Sequence, residues 1–174
     1  MSLKSKIASA TAAAKDKVSG QSPEGDILDT LKKEHQEVKE LLSELEDATN
    51  ASTRRSLVRK IKTALVPHTE AEQKVLYKAI VDLRDDTDAQ VDGYEGYVEH
   101  QRAADTLEEL EAITDAGSPK HQATAKVLKE LVTHHIKEEE SNVWSDAKEH
   151  FSAQERAEMN TRYLPEKDRV KLSA

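Results

Sequence analysis

Apolar side chains recur along this chain at spacings of three and four over long stretches, the period that puts them on one face of an α-helix. Ile27, Leu31, Val38, Leu42 and Leu45 form the first such stripe. Its helix is expected from about Pro23 to Asp47, with Ser22 as N-cap and Pro23 in the first helical position. Ala48 to Thr53 reads as a short polar connection in which Asn50, Ser52 and Thr53 can each cap a helix. A second stripe follows through Leu57, Ile61, Leu65, Leu76, Ala79 and Leu83. Pro67 sits inside this pattern and predicts a local kink, since it removes one backbone hydrogen bond without interrupting the period. Asp85 to Gly93 is acidic and turn-like. A third helix is expected from about Tyr94 to Ala112, with Tyr97, Ala104, Leu107 and Leu110 facing in. Thr114 to Pro119 is the next loop, and Ser118-Pro119 repeats the helix-start signal ahead of a stripe of Thr124, Leu128, Leu131 and Val143. Ser152 and Glu155 have the spacing of a capping box, predicting a short final helix and then a polar tail.

The pattern predicts an all-α fold, an antiparallel up-down-up-down four-helix bundle. Three segments are expected: an N-terminal tail over 1–22, the bundle over 23–150, and a short helix and tail over 151–174. The tail is rich in Ala, Ser and Lys and reads as a mobile or frayed arm; a weakly basic arm that touches a protein partner is the alternative reading.

Six polar residues interrupt the stripes. His35 falls in the gap between Leu31 and Val38. His68 and Glu72 lie on the second stripe, His100 on the third, and His135 and Glu139 on the fourth. Burying such groups unpaired costs a few kcal/mol each, and far more for a bare charge. They are also arranged as a repeat. HTEAEQKVLY (68–77) and HIKEEESNVW (135–144) each place a Glu four residues after a His and a large aromatic nine residues after it. Each unit is preceded by a lone His in the same tripeptide, Glu34-His35-Gln36 and Glu99-His100-Gln101.

A His and a Glu at i and i+4 are one turn apart on one helical face and can reach a common cation. Four imidazoles and two carboxylates without thiolate suit iron, manganese or zinc and not an oxygen-only calcium or magnesium cage. Six ligands exceed one tetrahedral zinc. Two ions, each with two His and bridged by both Glu, use every ligand and leave an open position for oxygen, peroxide or another small ligand.

The motif H…HxxxE…H…HxxxE on four helices resembles the hemerythrin-like (HHE) cation-binding domain family over about residues 25–150. The resemblance implies a non-haem di-iron centre with a bridging oxide or hydroxide, manganese or zinc being second choices, held by His35, His68, Glu72, His100, His135 and Glu139. It implies binding of oxygen or a related diatomic in sensing, storage or redox work. Peroxide decomposition by a di-iron enzyme and iron sequestration are the alternatives. One departure stands out. Oxygen-carrying hemerythrins have a further His one turn after the third-helix His, where this chain has Ala104, so one iron is expected to be more open. Glu140 is a reserve ligand, because some hemerythrins place the second acid five residues after its His.

Composition narrows the partners. A net charge of −8 with no basic stripe argues against nucleic acid. The absence of cysteine removes thiolate metal sites, disulfides and cysteine nucleophiles. No apolar run reaches membrane-span length, and the N-terminus has no continuous apolar segment of the secretory kind, so no membrane and a cytoplasmic location are expected. His134 is read as flanking His135, though able to exchange with it. His121 and His150 are read as surface residues, Glu70 and Glu138 as solvated charges, and Tyr77 and Trp144 as packing at the end of the core. Tyr97, one turn before His100, is a better candidate than these for a phenol in the pocket, but it too is read first as core packing.

Overall fold

The computed structural model describes residues 25–172, all helix and connection, with no strand among them. There are five helices. They are α1 (Ile27–Asp47), α2 (Ala51–Glu72), α3 (Thr87–Ala112), α4 (Pro119–Glu138) and α5 (Ala153–Arg169). Two of them run on beyond these bounds. α2 passes through a π-helical turn (Gln73–Tyr77) into a last α-turn (Lys78–Val81), and α4 passes through a second (Glu139–Val143) into Trp144–His150. α1 packs on α2, α4 and α5, α2 on α3 and α5, and α3 on α4, as a helical bundle. No described helix is long and apolar enough to cross a membrane.

The helix starts follow their caps. Asn50 accepts from Thr53 N, Ser118 from His121 N with Pro119 leading the helix, and Ser152 and Glu155 close the expected capping box. α1 begins at Ile27, later than the Ser22-Pro23 start signal suggests. Gly25 turns at φ +95°, and buried Asp26 caps α1 by accepting from Leu28 N. Ser22, Pro23 and the 1–22 tail lie outside the described residues.

Three further expectations are corrected. The acidic 85–93 segment is a turn only at its start: Asp86 accepts from Ala89 N and caps α3, which is helical from Thr87 on. Gly93 and Gly96 are there for close packing rather than for a turn. A Cβ on Gly93 would lie 2.7 Å from Val81 Cγ1, and one on Gly96 would overlap the Tyr77 ring. α2 runs on through Pro67, as its period does, and passes into a π turn at Gln73–Tyr77. The wider turn holds an extra residue, so the buried face moves by one and Ile80, not Ala79, enters the core. The final helix is also far from short. α5 has 17 residues and buries Arg156, Met159, Asn160 and Tyr163. Arg156 Nε reaches Asp26 at 2.9 Å, which fastens α5 to the start of α1.

The apolar interior is in two parts. One surrounds Ile27, Leu31, Leu76, Tyr77, Ile80, Trp144 and Tyr163. The other surrounds Val38, Leu42, Ile61, Leu65, Leu107, Leu128 and Val132. The six polar residues stand between these two groups in sequence on every stripe, as His35 does between Leu31 and Val38.

Candidate metal centre

All six predicted residues are buried, none more than 6% exposed, and the structure brings them together. His35, His68 and Glu72 form one group and Glu72, His100 and His135 a second, the donor atoms of each lying within 4.8 Å of one another. Glu72 Oε2 is 3.4 Å from His68 Nε2 and 3.6 Å from His100 Nε2. Glu139 Oε2 is 3.2 Å from His35 Nε2 and 3.4 Å from His135 Nε2. Each carboxylate therefore faces one imidazole from each half of the chain.

The imidazoles are held from behind. His68 Nδ1 lies 2.8 Å from Glu34 Oε2, and His135 Nδ1 lies 2.8 Å from Glu99 Oε2. His35 Nδ1 lies 3.0 Å from Glu140 Oε1 and His100 Nδ1 3.1 Å from the Gln73 amide. A carboxylate accepts the Nδ1 proton, which fixes the tautomer that turns the Nε2 lone pair inward. Sequence reasoning missed Glu34 and Glu99 in this role, and missed Gln73, whose amide nitrogen meets His100 Nδ1. The signal was present in the repeated Glu-His-Gln tripeptide, whose Glu serves the other His of its own half. Gln73 and Glu140 each follow a core Glu, and each serves the lone His of the opposite half.

The aromatic residues do more than fill the end of the core. Trp144 Nε1 donates to Glu139 Oε1 at 3.1 Å, and its ring stacks on His35 at 5.8 Å. Tyr77 meets His100 edge-on at 5.2 Å. Tyr97 does not enter the centre, because its hydroxyl donates to the Gln73 carbonyl in the π turn. Tyr163 of α5 had no place in the motif, yet its hydroxyl lies 2.5 Å from Glu34 Oε2 and 3.2 Å from His68 Nδ1.

Other residues fall elsewhere. Ala104 is exposed and Ala103 is the buried neighbour, so Ala104 does not face the centre and marks no open position. His121 is buried, not superficial, against Arg54 and the start of α4. His150 pairs with Asp86 at 2.9 Å, and exposed His134 lies 3.6 Å from Glu99 Oε1.

Protonation reports the tension of this arrangement. Burial and the negative charge of Glu139 push the Glu72 carboxyl well above the usual range. Burial opposes ionisation of Glu139 too, but the neighbouring His35, then Glu72 and His135, hold it well below. Burial and the neighbouring His135 keep His100 neutral. Burial lowers His68 despite Glu34, whereas at His35 the two carboxylates Glu139 and Glu140 outweigh burial and raise it.

The donor set fits a metal. Both Glu72 oxygens, Glu139 Oε2 and His35 Nε2 are buried without a hydrogen-bond partner, and His100 Nε2 and His135 Nε2 converge to 2.8 Å. Such unpartnered groups would be costly in a purely structural core. Their donor types are those expected for iron, manganese or zinc.

Comparison with known proteins bears on the same stretch. The family described as Hemerythrin, the hemerythrin HHE cation binding domain, matches residues 26–145. The chain is also similar to a protein named DNA nickase from Nostoc sp. (strain PCC 7120 / SAG 25.82 / UTEX 2576), 24% identical over 144 residues. That alignment spans 83% of this chain but 40% of the relative. No solved structure matches the chain.

Proposed function

The chain belongs to the hemerythrin HHE cation binding domain family, and from that membership and the geometry of the centre we propose that it is a non-haem di-iron protein binding oxygen or a related small ligand. In this reading His35 and His68 serve one ion, His100 and His135 the other, and Glu72 and Glu139 lie between them. The reading carries with it the antiparallel up-down-up-down order of the first four helices. The observation that supports it best is the convergence of four imidazole Nε2 atoms and two carboxylates, with every Nδ1 held from outside.

Bound iron would supply a change of oxidation state and open coordination positions. The chain's own residues do the rest. Glu34, Glu99 and Glu140 hold Nδ1 protons and fix ring orientation, Trp144 orients Glu139, and the two apolar groups exclude water. The name of the Nostoc protein describes that protein. The shared segment is a minority of its length, and the charge of −8 here lends a nucleic-acid reading no support.

Elemental analysis of purified protein with an ultraviolet and visible spectrum tests the proposal. About two irons per chain with oxo-to-iron charge-transfer bands is the expected result. Anaerobic reduction followed by oxygen or by peroxide then separates reversible binding from turnover. Protein that stays metal-free or takes up only zinc when iron is abundant would overturn it.

A further inference from the structure

The four imidazoles are backed unequally. Carboxylates stand behind three of them, Glu140 at His35, Glu34 at His68 and Glu99 at His135. Behind the fourth, His100 Nδ1 meets the amide nitrogen of Gln73 at 3.1 Å. A carboxylate accepts a proton from the ring, whereas an amide nitrogen donates one to it. The four contacts therefore cannot all serve the same tautomer.

The distances say where the protons of the neutral rings lie. Glu99 Oε2 is 2.8 Å from His135 Nδ1, so His135 carries its proton there and its Nε2 is bare. His135 Nε2 is 2.8 Å from His100 Nε2. Two bare nitrogens do not share that distance, so the proton between them belongs to His100 Nε2. His100 Nδ1 is then bare and accepts from the Gln73 amide. Each link fixes the next, from Gln73 to His100, to His135, to Glu99. The other half is arranged differently. The His35 and His68 ring centroids are 5.1 Å apart, against 4.4 Å for His100 and His135. Both rings give their Nδ1 protons to carboxylates, and their Nε2 atoms face Glu139 and Glu72 at 3.2 and 3.4 Å.

A cation takes an imidazole through a lone pair. His35 and His68 present theirs on Nε2. His100 does so only once its proton has moved to Nδ1 and Gln73 has turned its carbonyl to the ring. A neutral amide also lacks the anionic charge that strengthens a ligating imidazole. We propose that Gln73 sets an order of loading, in which the first cation goes to His35 and His68 and the second, held more weakly, to His100 and His135. The cations rest on the two-ion reading above; the ring protons rest on the hydrogen-bond chain alone.

Full-length protein stripped of metal by a chelator tests both parts. Nitrogen NMR of its imidazoles near neutral pH is expected to show His100, alone among the four rings, with a proton on Nε2 and a bare Nδ1. Anaerobic titration with ferrous iron against a competing chelator should give two steps about 10–100-fold apart. Gln73→Glu puts a carboxylate behind His100, so the ring proton should move to Nδ1 and the second step should tighten toward the first. Glu140→Gln is the converse, adds no buried charge, and should weaken the first step by a similar factor. A wild-type His100 protonated on Nδ1 would overturn the proposal, as would a second step that Gln73→Glu leaves unchanged. Two ions binding in a single step would sink the loading order alone. Saturation below two ions would sink the two-ion reading along with it.

Discussion

Glu34→Gln separates the charge of one outer carboxylate from its shape. Glu34 Oε2 accepts from His68 Nδ1 at 2.8 Å and from Tyr163 at 2.5 Å, and Oε1 accepts from Lys167 Nζ at 2.8 Å. An amide has one acceptor end, so it must turn its NH2 toward Lys167 or toward the His68–Tyr163 pair, donor against donor. Losing charge-assisted bonds of this kind costs about 1.5–3 kcal/mol. Protonation gives a second route to the magnitude. Burial raises the Glu34 carboxyl, but His68, Lys167 and Tyr163 outweigh it and hold the group at about 2 instead of 4.5. That shift is an upper bound of about 3.4 kcal/mol, or about 2 kcal/mol after allowing for partial solvent access. The two routes agree. Because the folded value is the lower one, the stabilisation is complete above about pH 4.5 and is lost as pH falls toward 2. Unfolding free energies from denaturant titrations of metal-free wild type and Glu34→Gln should differ by about 2 kcal/mol at pH 7 and converge near pH 2. In the loaded protein the same variant should weaken iron binding about 10–100-fold in competition with a chelator, the usual cost of losing the partner behind a ligating imidazole. A stability deficit that does not change with pH, together with unaltered iron affinity, would refute the reasoning.

His68→Ala removes half the imidazoles of one group and should reduce iron from about two per chain toward one by elemental analysis. Full loading would take His68 out of the site. Tyr163→Phe keeps the ring but leaves Glu34 one donor short, so a loss of about 1–2 kcal/mol in unfolding free energy is expected, read by denaturation. Gly96→Ala should destabilise by about 1–3 kcal/mol despite the better helix propensity of Ala, because the new Cβ would press on the fully buried Tyr77 ring. A raised melting temperature would contradict that packing. Ala104→His should leave ligand binding and the visible spectrum unchanged, since position 104 is exposed. A new spectrum would show that the residue reaches the centre after all.

What was legible in the sequence was whatever repeats with the helical period. The α1 stripe with His35 in its gap, the Ser118-Pro119 start and the Ser152–Glu155 box all follow from residues a turn apart, and so do the two His-x-x-x-Glu pairs. What was not legible depends on contacts between distant segments. Gly93 read as a turn residue because the reason for it, Val81, lies on another helix, and the Tyr77 ring that requires Gly96 lies there too. The Tyr163 hydroxyl sits 129 positions from the carboxylate it meets, so no local pattern marks α5 as part of the centre. Ala104 was placed inward by counting one turn from His100, yet it is Ala103 that joins the core.

The repeat itself was legible, but its departures from symmetry became meaningful only in three dimensions. His35 is backed by a carboxylate, Glu140, and His100 by an amide, Gln73. Trp144 donates to Glu139, whereas Tyr77, at the matching place in the other half, makes no hydrogen bond and its phenol stays protonated through burial and the nearby carboxylates. Glu34 is braced by Tyr163 and Lys167, while its counterpart Glu99 faces exposed His134. A negatively charged partner strengthens an imidazole as a ligand more than a neutral one does. Two halves that share one sequence plan therefore present two unequal sets of donors to whatever cations they hold.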